Sequence, residues 1–303
     1  MAHARARLLL GGASLLVGLS LTSCGDSGPT SPGPLPAQPE LVSPKAGETL
    51  ATDSPVFTVL NASGFDEGQA DYTFRVSVAS TDRDVASMTV HAGRGQTATR
   101  FPKPLLRGAT LEWQVTARRS GGGETASTSS TFRVPATTCV ATSGRFAKKV
   151  VDWWISACSL LTNLYSDPTA VLGPPDAAEI GPGAYRGMVS LGSGGYVAVD
   201  TEACAVDGPG DDIRVYQTVS IEPVTLYAGS DPAGPWVLVE SRKPCGPRVS
   251  GVFSHGCTFD LARAGLEEAR YFKIEDGELY PCPGVGGTDG ADIDALELLN
   301  IKP

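Results

Sequence analysis

Tyr72-Thr73-Phe74-Arg75-Val76-Ser77-Val78 sets Tyr72, Phe74, Val76 and Val78 on one side of an extended chain and Thr73, Arg75 and Ser77 on the other. A period of two is the signature of a strand with one face buried and the other in water. Leu111-Glu112-Trp113-Gln114-Val115-Thr116-Ala117 repeats the pattern, and Thr131-Phe132-Arg133-Val134 is a shorter version of it. Turn-forming Ser120-Gly121-Gly122-Gly123 stands between them. Several short alternating strands within residues 39–135 predict a β-sandwich. Trp113 belongs in its core, because its neighbours alternate as a buried strand requires.

The same logic extends down the chain. Gly195-Tyr196-Val197-Ala198-Val199, Ile213-Arg214-Val215-Tyr216, Val224-Thr225-Leu226-Tyr227, Trp236-Val237-Leu238-Val239, Arg270-Tyr271-Phe272-Lys273-Ile274 and the run 293–299 all read as strands separated by turn chemistry. Residues 136–303 are therefore expected to form a second all-β unit, a sandwich or jelly roll of about eight strands. Its entry is ambiguous. Phe146, Val150, Trp153, Trp154, Cys158, Leu161 and Leu164 recur at helical spacing, whereas Val150-Val151-Asp152-Trp153-Trp154-Ile155 is rich in strand formers.

Composition agrees with an exported, loop-rich chain: glycine (36) and proline (23) are abundant, yet hydrophobics at 41% leave enough for a core. The net charge is −9, and residues 136–303 carry twelve basic against twenty-two acidic side chains. Such a surface repels phosphate backbones and excludes nucleic acid as an expected partner, while favouring cations.

At the N-terminus, Arg5 and Arg7 precede an apolar stretch over residues 8–21 that closes on Leu21-Thr22-Ser23-Cys24. The parts are those of a secretory signal, too short to span a bilayer comfortably. The closing cysteine resembles the lipobox of bacterial lipoproteins, which implies a leader over residues 1–23, lipidation at Cys24 and a membrane anchor. Gly25 in the following position points, by the same resemblance, to the outer membrane or cell surface. Residues 24–38, dense in proline, glycine and serine, read as a flexible stalk.

The other six cysteines, Cys139, Cys158, Cys204, Cys245, Cys257 and Cys282, all lie in the second half. An even number in an exported chain reads as disulfides. Zinc is disfavoured, since there is no Cys-x-x-Cys pair and only His91 and His255 follow the leader. Local spacing favours Cys245 with Cys257 and Cys139 with Cys158, leaving Cys204 with Cys282.

Pro44-Lys45-Ala46-Gly47, Leu105 with Gly108, Trp113-Gln114-Val115 and Phe132-Arg133-Val134 together resemble bacterial fibronectin type III-like modules, although the tryptophan often met near Phe57 is missing. In the second half, Tyr165-Ser166-Asp167-Pro168, Leu172-Gly173-Pro174-Pro175-Asp176, Asp207-Gly208-Pro209-Gly210-Asp211-Asp212-Ile213, Phe259-Asp260-Leu261 and Asp292-Ile293-Asp294-Ala295-Leu296-Glu297 succeed one another as in a module of bacterial cell-surface proteins. That module is similar to galactose-binding, discoidin-like jelly rolls. The resemblance implies a strand over residues 147–151 and a carbohydrate or extracellular polymer as ligand. It does not extend to the cysteine-bearing insertions, 244–257 and 279–287.

Asp207 and Asp212 crowd a glycine-proline turn, and Asp292 and Asp294 alternate into the last strand. Carboxylates at i and i+2 share a face and suit a hard cation, so one structural Ca²⁺ held by Asp212, Asp292 and Asp294, with Asp207 next, is expected. Exposed aromatics that could stack on sugar faces are Trp153, Trp154, Tyr185 and Tyr280, while Trp236 sits in an alternating strand and reads as core. No nucleophile elbow or phosphate loop is present. The expectation is therefore a non-catalytic binding or adhesion lipoprotein. A structural envelope lipoprotein that binds another protein is the alternative, and a glycan hydrolase a more distant one.

Overall fold

The computed structural model describes residues 37–136, 139, 144–156, 165–218, 222–277 and 290–302. Their regular structure is all-β apart from two 3₁₀ turns, Pro168–Val171 and Leu261–Ala264. The strands of the first sandwich are β1 (Glu40–Ser43), β2 (Glu48–Thr49), β3 (Phe57–Leu60), β4 (Ala70–Val78), β5 (Arg83–His91), β6 (Gln96–Thr99), β7 (Ala109–Arg119), β8 (Glu124–Ala126) and β9 (Ser130–Val134). One sheet runs β1-β3-β6; the other runs β2-β9-β7-β4-β5, with β8 against β7.

Register explains why the alternating residues meet. In the antiparallel pair β4 and β7, Phe74 faces Val115, Val76 faces Trp113 and Val78 faces Leu111, and all six side chains are buried. Phe57, from the opposing sheet, meets Trp113 edge-on at 5.0 Å and Phe132 at 5.7 Å. Each such contact contributes roughly 0.5–1.5 kcal/mol beyond its area burial.

The second sandwich contains β10 (Lys149–Trp154), β11 (Ala178–Gly181), β12 (Ala184–Arg186), β13 (Val189–Ser190), β14 (Tyr196–Val206), β15 (Ile213–Gln217), β16 (Val224–Gly229), β17 (Val237–Lys243), β18 (His255–Phe259), β19 (Glu268–Asp276) and β20 (Asp292–Leu298). A five-stranded sheet, β10-β14-β19-β16-β17, faces a four-stranded one, β13-β20-β15-β18, and β11-β12 is a separate hairpin. Val197, Val199, Phe272, Ile274 and Leu226 from the first sheet and Ile213, Val215, Phe259, Leu296 and Leu298 from the second are fully buried in the core. The ambiguous entry resolves as strand: Asp152 pairs with Ala198, Trp153 with Val197 and Trp154 with Tyr196. Cys158, Leu161 and Leu164 lie outside the described residues.

Cysteine pairing departs from local spacing. Cys245 is bonded to Cys257, but Cys139 is bonded to Cys204, 65 residues away, with 5.6 Å between their Cα atoms. The expected Cys139–Cys158 and Cys204–Cys282 pairs are therefore corrected. The reason is topological: Cys139, shortly after β9, meets the C-terminal half of β14, a strand the chain reaches only after β10 to β13. Cys158 and Cys282 lie outside the described residues.

The two sandwiches belong to one compact unit. The Glu267 N–H donates to Gly108 O at 2.9 Å, Arg107 N–H to Ser230 Oγ at 3.1 Å, and Lys103 Nζ to Ala233 O at 3.2 Å. Gly108 and Gly265 both adopt φ near +68°, at 69° and 67°. A Cβ on Gly108 would strike Glu268, and one on Gly265 would strike Ser80 and Val78. Glycine is needed at both places for conformation and for close approach across the junction.

Candidate ligand-binding end of the second sandwich

The strand directions divide the second sandwich into two ends. At the junction end lie the start of β10, the end of β14, the start of β15 and the start of β19, beside the first sandwich. The far end gathers the end of β10, the start of β14, the end of β15 and the start of β20, together with the loops that join them.

Two buried carboxylates brace this far end. Asp276 accepts from Gly194 N–H at 3.0 Å and from Ala291 N–H at 3.1 Å, tying the two sheets together. Asp294 Oδ1 accepts from Asp176 N–H at 3.0 Å and Ala177 N–H at 3.2 Å, and its Oδ2 accepts from the Ser254 hydroxyl. Burial pushes the Asp294 carboxyl above its usual value, against the pull of these donors, with the charge of Asp176 adding to the rise. Both side chains position loops.

Exposed aromatics lie at the same end. Trp153 and Trp154 are 51% and 52% exposed on β10, an edge strand. Tyr185, on β12, has its N–H held by the Tyr165 hydroxyl at 3.0 Å, and its ring lies 6.0 Å from that of Phe253. The Arg248 guanidinium covers Phe253 at 4.4 Å. Ile180, 62% exposed, is on the partner strand of the same hairpin. The structure thus places Trp153, Trp154 and Tyr185 at one end; Tyr280 lies outside the described residues. Sequence reasoning missed Arg248 and Phe253. Their signal was the loop closed by Cys245 and Cys257, which isolates one cation and one aromatic in a short, constrained segment.

Other aromatics have structural duties. On the outer face of the five-stranded sheet, Lys273 Nζ sits 5.2 Å from the Tyr196 ring and 4.3 Å from the Tyr227 ring, filling the space between them. The Tyr196 hydroxyl donates to Asp152 at 2.9 Å. Trp236 packs on Gly229 and Gly234 and is half buried near the junction.

The four aspartates are not brought together, which corrects the expected single calcium site. Ile213 pairs with Leu298 and Gln217 with Ile293 along antiparallel β15 and β20, so Asp212 and the Asp292, Asp294 pair occupy opposite ends. Asp207 and Asp212 are joined instead by Asp260, with carboxylate oxygens within 4.8 Å of one another. Asp212 already accepts from Gly208 N–H, Leu261 N–H and the Asn300 amide at 2.9, 2.8 and 2.7 Å. Asp207 is raised by burial and by the charges of Asp212, Asp260 and Glu267.

No family model and no curated protein matches this chain. Among solved structures, a SusE-like protein aligns over 86% of this chain and 96% of its own, at 11% identity and a TM-score of 0.24. An alpha-L-rhamnosidase from Dictyoglumus thermophilum aligns over 85% of this chain at 14% identity and a TM-score of 0.26, and the match spans 27% of that enzyme. At these scores neither likeness carries an argument about function. No helix among the described residues is long and apolar enough to cross a membrane.

Proposed function

We propose that this chain is an exported, non-catalytic module, anchored through Cys24, that binds carbohydrate at the far end of its second sandwich. The observation that carries the reading is the gathering of Trp153, Trp154 and Tyr185, half or partly exposed, at the end opposite the first sandwich. Flat apolar rings with polar loops beside them match the apolar faces and hydroxyl rims of pyranose rings. Cys24 lies outside the described residues, and the anchor rests on its sequence context. A glycan array with the soluble chain from residue 37 onward tests the reading. Saturable binding lost in Trp153→Ala or Trp154→Ala supports it, and a silent array removes it in favour of a protein-binding envelope role.

Calcium belongs to the proposal only at Asp207, Asp212 and Asp260, where crowded carboxylates would gain from a cation. Calorimetry with Ca²⁺ before and after Asp207→Asn decides it. No heat and no change in melting temperature would discard the metal.

A further inference from the structure

We infer that the far end selects a glycan bearing an oxyanion, a uronate carboxylate or a sulfate ester, and that Arg248 is the residue that reads the charge. The inference rests on the carbohydrate reading above and adds a ligand class to it.

Arg248 has no ion-pair or hydrogen-bond partner among the described residues, and it is exposed. Its guanidinium is nevertheless held in place, stacked at 4.4 Å over Phe253, whose ring in turn lies beside that of Tyr185. With the guanidinium over that ring, its N–H edge has no acceptor among the described residues and is available to a ligand. That edge presents paired donors in the geometry of a carboxylate or sulfate, and fixing it beforehand lowers the entropy cost of binding. The loop is itself constrained at both ends: Cys245 is bonded to Cys257, and Gly246 N–H donates to Gly256 O at 2.9 Å. Gly246 O also meets His255 Nδ1 at 3.0 Å.

Long-range attraction is not the source of the selectivity. Residues 136–303 are strongly acidic, and exposed Glu179 lies directly across the hairpin from Tyr185. An anionic ligand is favoured here only by direct contact with the fork, which makes Arg248 separable from the rest of the surface. The aromatic neighbours supply the sugar contact, and the fork supplies the discrimination between a charged sugar and its neutral counterpart.

The test is titration calorimetry of the chain from residue 37 onward with trigalacturonate, its methyl ester and a sulfated galactan oligosaccharide. The wild type is expected to bind at least one charged ligand about tenfold more tightly than the methyl ester. Arg248→Gln should erase that preference, bringing charged and methyl-esterified ligands to equal affinity, while the melting temperature stays unchanged. Arg248→Lys should keep part of the preference, since charge survives but the planar fork does not. Preference for trigalacturonate assigns a carboxylate, and preference for the galactan assigns a sulfate. The inference is overturned if the wild type does not discriminate, or if Arg248→Gln discriminates equally well. Glycan binding without charge preference sinks this inference alone, whereas no binding of any glycan removes the carbohydrate reading with it.

Discussion

Glu267 and its neighbour Glu268 both meet Gly108: the Glu267 N–H donates to the Gly108 carbonyl at 2.9 Å, and the Glu268 side chain lies where a Gly108 Cβ would be. The Glu267 carboxylate also pairs with Arg133. A single short segment of the second sandwich is thus fitted against the last strands of the first. The two should unfold together, giving one calorimetric transition for residues 37–303. Gly108→Val, strained at positive φ and colliding with Glu268, should separate the transition into two. Two well-separated transitions in the wild type would contradict this.

Peptide mapping without reduction should recover Cys139 linked to Cys204 and Cys245 linked to Cys257. Cys204→Ser should cost about 2–4 kcal/mol, because it frees the connection between the sandwiches. Recovery of Cys139 joined to Cys158 would refute the pairing.

Two acids should respond to pH with opposite signs. Asp294, raised by burial, holds its proton more tightly in the fold, so its contribution is complete below its ordinary 3.8 and is lost as pH climbs through the folded value. Burial also works to raise Asp200, but Arg270 at 2.7 and 2.8 Å, the Glu202 N–H and Lys149 bring it below 3.8. Its contribution is present above 3.8 and is lost as pH falls. In urea titrations between about pH 3 and pH 8, Asp294→Asn should gain stability at the neutral end, and Asp200→Asn should lose about 1–3 kcal/mol there. A neutral-pH loss in Asp294→Asn equal to its loss in acid would reject the assignment.

Trp113→Ala should destabilise by about 3–5 kcal/mol, since it empties the space on which Phe57 and Phe74 pack. Trp153→Ala should leave the melting temperature nearly unchanged. Urea midpoints for the two variants check the contrast, and equal losses would place Trp153 in a core it does not occupy.

Much of this was legible beforehand where a single strand carries the information. Tyr72, Phe74, Val76 and Val78 declare a buried face because the period of two needs no partner to be read. β10 could not be settled that way, since its residues satisfy both periods and only pairing with β14, more than forty residues on, selects the strand. β18 was hidden because His255-Gly256-Cys257-Thr258-Phe259 buries only Cys257 and Phe259 fully, and Gly256 is pressed against Val249 and Arg214. The aspartates show the same limit from the other direction. Alternation correctly groups Asp292 with Asp294, but which end of an antiparallel pair Asp212 occupies is a property of the partner strand.

The aromatic end and the junction lie at opposite ends of the same strands, and this arrangement has a mechanical meaning. A force applied between the two ends would pull lengthwise along β14, β19 and β20. Ladder hydrogen bonds lie across such a pull, so many must give way at once, whereas a load applied at an edge would unzip them singly. Under such a load the Cys139–Cys204 bond would hold Cys139 against β14.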